Sequence, residues 1–297
     1  MGLVSKVGKK AETTRRAGWG RGGPVMAAVL AALCLAPTAR AEQPYDWQIA
    51  MQAAASPVRD RIDSLHNELL VIITLISIFV LGLLLYVMVR FNAKSHPTPS
   101  QTTHNTLLEV MWTVVPVLIL IIIAIPSFKL LYYNDKTQHA DMTLKVTGHQ
   151  WYWTYEYPDQ AGLSFDSNMM PEADARKAGK PALLEVDNPV VVPVGEKIRI
   201  LVTGTDVIHS WFVPAVGVQE YAVVGRNNES WMEFERAGTF YGQCNQICGL
   251  NHPFMPIEIH AVSKEDFAKW AADAKKKFTH NDTHDDEAGI RLAATAR

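Results

Sequence analysis

Two long stretches without a charged residue, Leu69 to Val89 and Val110 to Phe128, constrain this chain more than any other feature. Each matches the ~20 residues an α-helix needs to cross the hydrocarbon core of a bilayer. No water is available there, so the backbone must satisfy its own hydrogen bonds and the runs are expected to be helical. They predict a transmembrane hairpin. The loop between them carries Arg90 and Lys94 without Asp or Glu, whereas residues 42–68 are net acidic. Basic loops tend to stay in the cytoplasm, which puts both termini on the exported side. Pro116 and Pro126 in the second run predict packing within a larger membrane assembly, where neighbouring helices re-satisfy the freed backbone groups.

The N-terminal segment reads as a secretory signal and agrees with that topology. Lys6, Lys9, Lys10, Arg15, Arg16 and Arg21 form a basic region, and Val25 to Leu35 an apolar core too short to span a bilayer. Ala39-Arg-Ala41 fits a cleavage site, giving a signal over 1–41; a retained anchor helix is the competing reading. Cys34 would leave with the signal, so the mature chain would hold only Cys244 and Cys248. Two close cysteines outside the cytoplasm are oxidised unless a metal holds them.

After the hairpin the pattern changes to short β-branched and aromatic runs broken by Gly, Pro, Asn and Asp. Strands are expected near 143–157, 183–186, 190–192, 197–203, 209–213, 231–235, 239–243 and 257–262, which suggests an all-β sandwich or barrel. Ser263-Lys-Glu-Asp266 resembles a capping box and opens a helix, with Phe267, Trp270, Ala271, Ala274 and Phe278 at helical spacing. A polar, small-residue tail beyond His280 is expected to be disordered. The expected organisation is therefore a signal (1–41), an N-terminal segment with the hairpin (42–134), an exported β domain (135–262), and a helix with a flexible tail (263–297). Charge is nearly balanced, with 28 basic and 30 acidic side chains. No basic patch interleaves with aromatics, so nucleic acid is not an expected partner.

The chemistry concentrates in Cys244-Asn-Gln-Ile-Cys248-Gly-Leu-Asn-His252-Pro-Phe-Met255. Two thiols, an imidazole and a thioether within twelve residues are soft or borderline ligands, and a thioether points to copper rather than zinc. His209 in Asp206-Val-Ile-His-Ser-Trp211 could complete the set. Several readings compete. A disulfide across so short a loop gains little closure entropy and does not require His252 or Met255. Zinc leaves Met255 incidental, and a single blue copper leaves one cysteine over. Two thiolates and two imidazoles could instead hold two copper ions with bridging sulfurs.

Three segments carry a family resemblance: Gly148-His-Gln-Trp-Tyr-Trp-Thr-Tyr-Glu-Tyr157, Asp206 to Trp211, and Tyr241 to Ile257. With both spans, they resemble subunit II of the bacterial haem-copper cytochrome c oxidases from about Asp46 to Trp270. The resemblance implies a cupredoxin-like barrel holding a binuclear copper centre, CuA. It implies imidazole ligation by His209 and His252, bridging by Cys244 and Cys248, and weak ligation by Met255 and the backbone carbonyl of Gln246. The commonest family pattern has Glu where Gln246 stands, and that Glu side chain also binds magnesium at the boundary with subunit I. A neutral amide offers oxygen with less charge, so magnesium stays an open point.

The resemblance further implies Trp151 as the entry point for electrons from cytochrome c, although packing is the default for aromatics on strands. Trp151, Tyr152 and Trp153 are expected on one strand, so that Trp151 and Trp153 share a face opposite Tyr152. Glu156, Asp166, Asp187 and Asp206 are scattered acids that suit a solvated surface; the resemblance implies a patch that docks basic cytochrome c. Glu109 fits the positive end of a helix, and the resemblance places it at the mouth of a proton pathway. His149 and His260 have no metal-like spacing and read as structural. The implied function is electron transfer from cytochrome c to haem in subunit I, where oxygen is reduced and protons are pumped. Subunits I and III are the implied partners in a bacterial inner membrane. A copper carrier or assembly factor would not explain Trp151 together with both spans, and a quinol oxidase subunit would not need the copper ligands. The copper domain of nitrous oxide reductase uses similar ligands but lacks the hairpin.

Overall fold

The computed structural model describes residues 43–135 and 139–278. The expected signal over 1–41 and the expected tail beyond His280 lie outside the described residues.

Both apolar runs are helical. Helix α1 spans Pro57–Arg90, with the Ser56 side chain accepting from the Arg59 N–H, Pro57 at the first helical position and Arg90 in the last turn. These are the signals that favour a helix start and end. Helix α2 spans Thr106–Asp135. Asn105 Oδ1 accepts from the Leu107 and Leu108 N–H groups, and Glu109 lies in the first turn. At 1.5 Å per residue α1 is roughly 50 Å long, more than the ~30 Å hydrocarbon core requires. Its surplus lies before Leu69, where Ala55, Val58 and Arg59 are buried against the β domain. There the Ala55 N–H donates to the Ala215 carbonyl at 2.9 Å and the Ser56 hydroxyl to the Val216 carbonyl at 2.7 Å. From the other helix, Trp231 Nε1–H donates to the Tyr133 carbonyl at 3.3 Å. The barrel thus stands on the end of the hairpin formed by the start of α1 and the end of α2.

Among the described residues, ten strands form two five-stranded sheets. They are β1 (Met142–His149), β2 (Tyr152–Tyr157), β3 (Leu163–Ser167), β4 (Val190–Pro193), β5 (Ile198–Gly204), β6 (His209–Val213), β7 (Val218–Ala222), β8 (Asn228–Met232), β9 (Gly238–Cys244) and β10 (Pro256–Val262). The sheet orders are β3-β2-β1-β5-β8 and β4-β10-β9-β6-β7, with β1–β5 and β4–β10 parallel and the other pairings antiparallel. Strands β1 and β5 alternate buried and half-buried residues, as period-two strands with one face on a core do. Trp153, Tyr155, Tyr157, Trp211, Phe234 and Phe240 fill the interior. A short helix α3 (Glu172–Lys177) interrupts the 168–189 connection, and helix α4 covers 264–278. The expected cap of α4 is present: Ser263 Oγ accepts from the Asp266 N–H at 3.1 Å and donates to its carboxylate at 3.0 Å.

Four expectations need correction. The run 143–157 is two antiparallel strands turning at Gln150–Trp151, so Trp151 does not lie on a strand beside Trp153. Residues 183–186 form a turn with one bridge, Met169 to Val186. The strand expected at 231–235 is β8, which ends at Met232. Strands β3 and β7 were not expected. In β3, buried Leu163 and Phe165 alternate with exposed Ser164 and Asp166, a signal diluted by polar residues. In β7, an edge strand, only Val218 and Ala222 are buried, so its apolar pattern is nearly absent.

Candidate metal centre

The predicted ligands converge where β6 begins and β9 ends. Strand pairing sets Trp211 opposite Cys244 and Phe212 opposite Gln243, which brings His209 and Cys244 to one end of the barrel. Gly242 makes this pairing possible: a Cβ there would lie 2.1 Å from the Phe212 carbonyl oxygen, which no side chain tolerates. The loop after Cys244 then folds back through the short helix His252–Phe254, returning Met255 to the start of β10.

Both cysteines are free, with Cys244 Sγ and Cys248 Sγ 3.8 Å apart, far beyond the ~2.05 Å of a disulfide. Cys248 Sγ is 3.5 Å from His252 Nδ1 and 3.6 Å from Met255 Sδ. Cys244 Sγ lies 3.3 Å from the Gln246 carbonyl oxygen. A His209 ring nitrogen and the two sulfurs lie within 4.8 Å of one another. Cys244, Cys248, His209 and Met255 are all buried. All six predicted ligands therefore come together.

Surrounding groups hold them in place. Asp206 Oδ1 lies 2.8 Å from His209 Nε2 and also accepts the Val207 N–H, while Oδ2 accepts the Gln150 N–H at 2.7 Å. Burial pushes this carboxyl up, but these hydrogen bonds and His209 outweigh it and hold the group below the ordinary carboxylate range. The carboxylate fixes the proton on Nε2, so Nδ1 keeps its lone pair. That Nδ1 is buried and has no hydrogen-bond partner. An orphaned buried acceptor beside two free thiols fits a thiophilic metal ion. Burial opposes ionisation of both thiols; contacts from His209, the Ser210 and Gln246 backbones and His252 nevertheless bring Cys244 down to about 7. Burial first, and then the charge on Cys244, push Cys248 up.

Trp151, half-buried at the hairpin turn, donates its Nε1–H to the Cys248 carbonyl at 3.2 Å. Gln150 Nε2 donates to the same oxygen at 2.8 Å. Trp153 is fully buried beneath and donates to the Met255 carbonyl at 3.2 Å. Sequence reasoning missed Gln150 and Trp153 as supports of the loop; their position in the aromatic motif carried the only signal.

Each of the four acids has a partner of its own. Glu156 pairs with Lys145 at 2.9 Å, Asp166 accepts the Thr154 hydroxyl at 2.6 Å, and Asp187 accepts the Asn168 N–H at 2.8 Å. Asp206 is engaged with His209. Glu109 sits in the first turn of α2, at the opposite end of that helix from the barrel. His149 lies between the Thr205 and Thr154 hydroxyls and stacks on Tyr152, and His260 pairs with Glu258 at 2.7 Å.

Comparison with known proteins matches residues 142–262 to the family described as cytochrome c oxidase subunit II, periplasmic domain. Residues 44–130 match the family's transmembrane domain. A probable cytochrome c oxidase subunit 2 of Rickettsia felis is 48% identical over 236 residues, covering 80% of this chain and 75% of the relative. The chain belongs to the cytochrome c oxidase subunit II family. Subunit 2 of Oenothera berteroana is 48% identical over 232 residues, covering 76% of this chain and 90% of the relative. A solved structure of the periplasmic domain of subunit II from Bradyrhizobium japonicum is 49% identical, covers 48% of this chain and 99% of its own, and has a TM-score of 0.45. The chain is thus a membrane-anchored, electron-transfer subunit of cytochrome c oxidase with a periplasmic domain, working in a complex with other oxidase subunits. Membership in this family implies copper.

Proposed function

We propose that His209, Cys244, Cys248, His252, Met255 and the Gln246 main-chain carbonyl hold a binuclear copper centre. The observation that carries this reading is the buried, unpartnered His209 Nδ1 beside two free thiols. A bound dicopper centre supplies one-electron exchange with the charge shared over both ions. The chain's own residues do the rest. Asp206 orients the His209 imidazole, and the β6–β9 pairing with Gly242 sets the distance from His209 to Cys244. Burial of both thiols and of Met255 excludes water. Gln246 offers a neutral amide, so magnesium at the boundary with subunit I would rely on subunit I for negative charge.

Cytochrome c docks over Trp151, whose indole reaches the Cys248 main chain through one hydrogen bond. An open recess of about 440 Å³ bordered by Trp151, Met169, Asn251 and Phe254 lies at this point. Asp166 and Asp187 are the acids best placed to steer a basic partner, because their hydrogen-bond partners are neutral, whereas Glu156 is paired with Lys145 and Asp206 with His209; such steering raises association rate and falls with salt. Both termini are periplasmic, subunit III joins subunit I in the complex, and Glu109 lies at a proton entrance on the cytoplasmic side.

The deciding measurement is metal content and EPR of the periplasmic domain. Two coppers per chain sharing one unpaired electron are expected, and one copper or zinc alone defeats the reading. Replacing Trp151 by Phe should slow reduction by cytochrome c with the copper spectrum intact; unchanged kinetics reject the entry role. Glu109→Ala should impair turnover without copper loss, and normal turnover rejects that assignment.

A further inference from the structure

A second site lies at the barrel end of the hairpin, away from the metal. A cleft of about 190 Å³ opens between α1 and α2, bordered by Arg61, Ser64, Glu68 and Lys129 above an apolar floor that includes Leu65 and Pro126. Arg61, Ser64, Leu65 and Glu68 follow the i, i+3, i+4, i+7 spacing that puts them on one helix face. The Arg61 guanidinium is held over the Tyr133 ring, 3.7 Å from its centroid, and Lys129 lies one helical turn before Tyr133. Among the described residues, Arg61, Lys129 and Glu68 form no ion pair. Two cations and an acid border one cleft without neutralising each other.

Its depth identifies the occupant. Glu68 is the last charged residue before the uncharged run of α1, and Lys129 the first after that of α2. Both mark the same membrane boundary, on the side where the periplasmic barrel packs against the hairpin. Charges at that level face phospholipid headgroups, and the apolar floor suits the start of an acyl chain. We propose that the cleft binds the headgroup of a phosphatidylethanolamine-type lipid of the periplasmic leaflet. Arg61 and Lys129 hold its phosphate and Glu68 takes the ammonium, while the Ser64 hydroxyl stays donated to the Asp60 carbonyl at 2.9 Å. A headgroup without an amine leaves Glu68 facing the phosphate and binds less well. Charge-assisted pairing of this kind fixes orientation as well as affinity.

The test uses the intact oxidase complex in detergent, stripped of lipid and titrated with phosphatidylethanolamine, phosphatidylglycerol or phosphatidylcholine, with bound lipid counted by native mass spectrometry. One retained phosphatidylethanolamine is expected, weakened about tenfold or more by Arg61→Gln with Lys129→Gln. Glu68→Gln should keep lipid binding while abolishing the preference for phosphatidylethanolamine over phosphatidylglycerol. Excess inorganic phosphate should not displace the lipid. Copper absorbance reports intact folding of each variant; if the double variant fails that control, Lys129→Gln alone is read for the same loss. Wild-type retention in the Arg61→Gln with Lys129→Gln variant (or in Lys129→Gln where that is read instead), an unchanged preference in Glu68→Gln, or displacement by inorganic phosphate would each overturn the proposal.

Discussion

The hairpin and the barrel are both rich in apolar side chains, yet they use them in opposite ways. In α2 no residue is buried and Leu118, Ile121, Ile122 and Ile125 stand exposed, whereas Trp153, Trp211, Phe234 and Phe240 in the barrel are fully enclosed. The barrel carries its own core and brings His209 and Cys244 together by strand pairing. The hairpin satisfies its backbone internally but leaves its side chains to lipid and to other oxidase subunits. Backbone distances therefore decide function in the barrel, while surroundings decide it in the hairpin.

The sharpest way to break this comparison is to disturb one backbone contact in the barrel. Gly242→Ala places a Cβ 2.1 Å from the Phe212 carbonyl, against backbone that cannot swing aside. The β6–β9 pairing must open, and with it the approach of Cys244 to His209. A loss of ~4 kcal/mol or more and failure to retain copper are expected, because changes this large come from strain of this kind. Thermal melts and copper content of the periplasmic domain measure it. Retention of both would show that the ligands, rather than the strands, organise this end.

Much of this molecule was legible in the sequence, for reasons that differ by region. The spans were readable because a bilayer imposes length and excludes charge, and Leu69–Val89 and Val110–Phe128 both fall within helices. Four of the proposed ligands, Cys244, Cys248, His252 and Met255, stood out because soft side chains at close spacing have few other uses, whereas the Gln246 carbonyl came only from the family resemblance. Turns were harder. The pattern Trp151-Tyr-Trp153 looks like a strand, but the chain reverses at Gln150–Trp151, where backbone geometry rather than hydrophobicity decides. Asp206 was expected among surface acids, and only tertiary structure shows its carboxylate on the His209 ring.

That carboxylate provides the next test. Asp206→Ala removes the acceptor for His209 and leaves the Gln150 and Val207 N–H groups without their partner. The imidazole remains but its tautomer is no longer imposed. Copper affinity should fall about 10- to 100-fold, as loss of such an orienting partner does elsewhere. Titration of the apo domain with copper reads this directly, while the melting curve should move far less than for Gly242→Ala. An unchanged affinity would mean that the barrel orients His209 by packing alone.

Away from the metal, buried Glu258 accepts the Val186 N–H at 3.0 Å and pairs with His260 at 2.7 Å. Burial pushes this carboxyl up, but His260 and the Val186 N–H prevail and hold it below its ordinary value. A carboxylate depressed in the folded state stabilises above its unfolded pKa, and the contribution is lost as pH falls through the folded value. Glu258→Gln should cost about 1 kcal/mol at pH 7, of the order of one net hydrogen bond. The difference from wild type should shrink below about pH 4. Denaturant unfolding of the domain across pH checks it, and a difference independent of pH would assign the effect to packing.

The smallest expected effect lies in the other region and tests the hairpin's side of the comparison. Gly82 sits in the middle of α1 with nothing within 4 Å of where a Cβ would stand. Glycine costs a helix up to about 1 kcal/mol relative to alanine, so Gly82→Ala should leave the isolated chain unchanged or slightly more helical. The contrast with Gly242→Ala is the point: the same added methyl group is ruinous where strands touch and harmless where a helix faces lipid. Helicity in detergent and copper content should both match wild type, as should the amount of chain recovered with the other oxidase subunits. Small residues also let membrane helices approach closely. If Gly82→Ala leaves the chain intact but prevents assembly, a helix of another subunit packs at that position, and the hairpin is there governed by a backbone contact just as the barrel is.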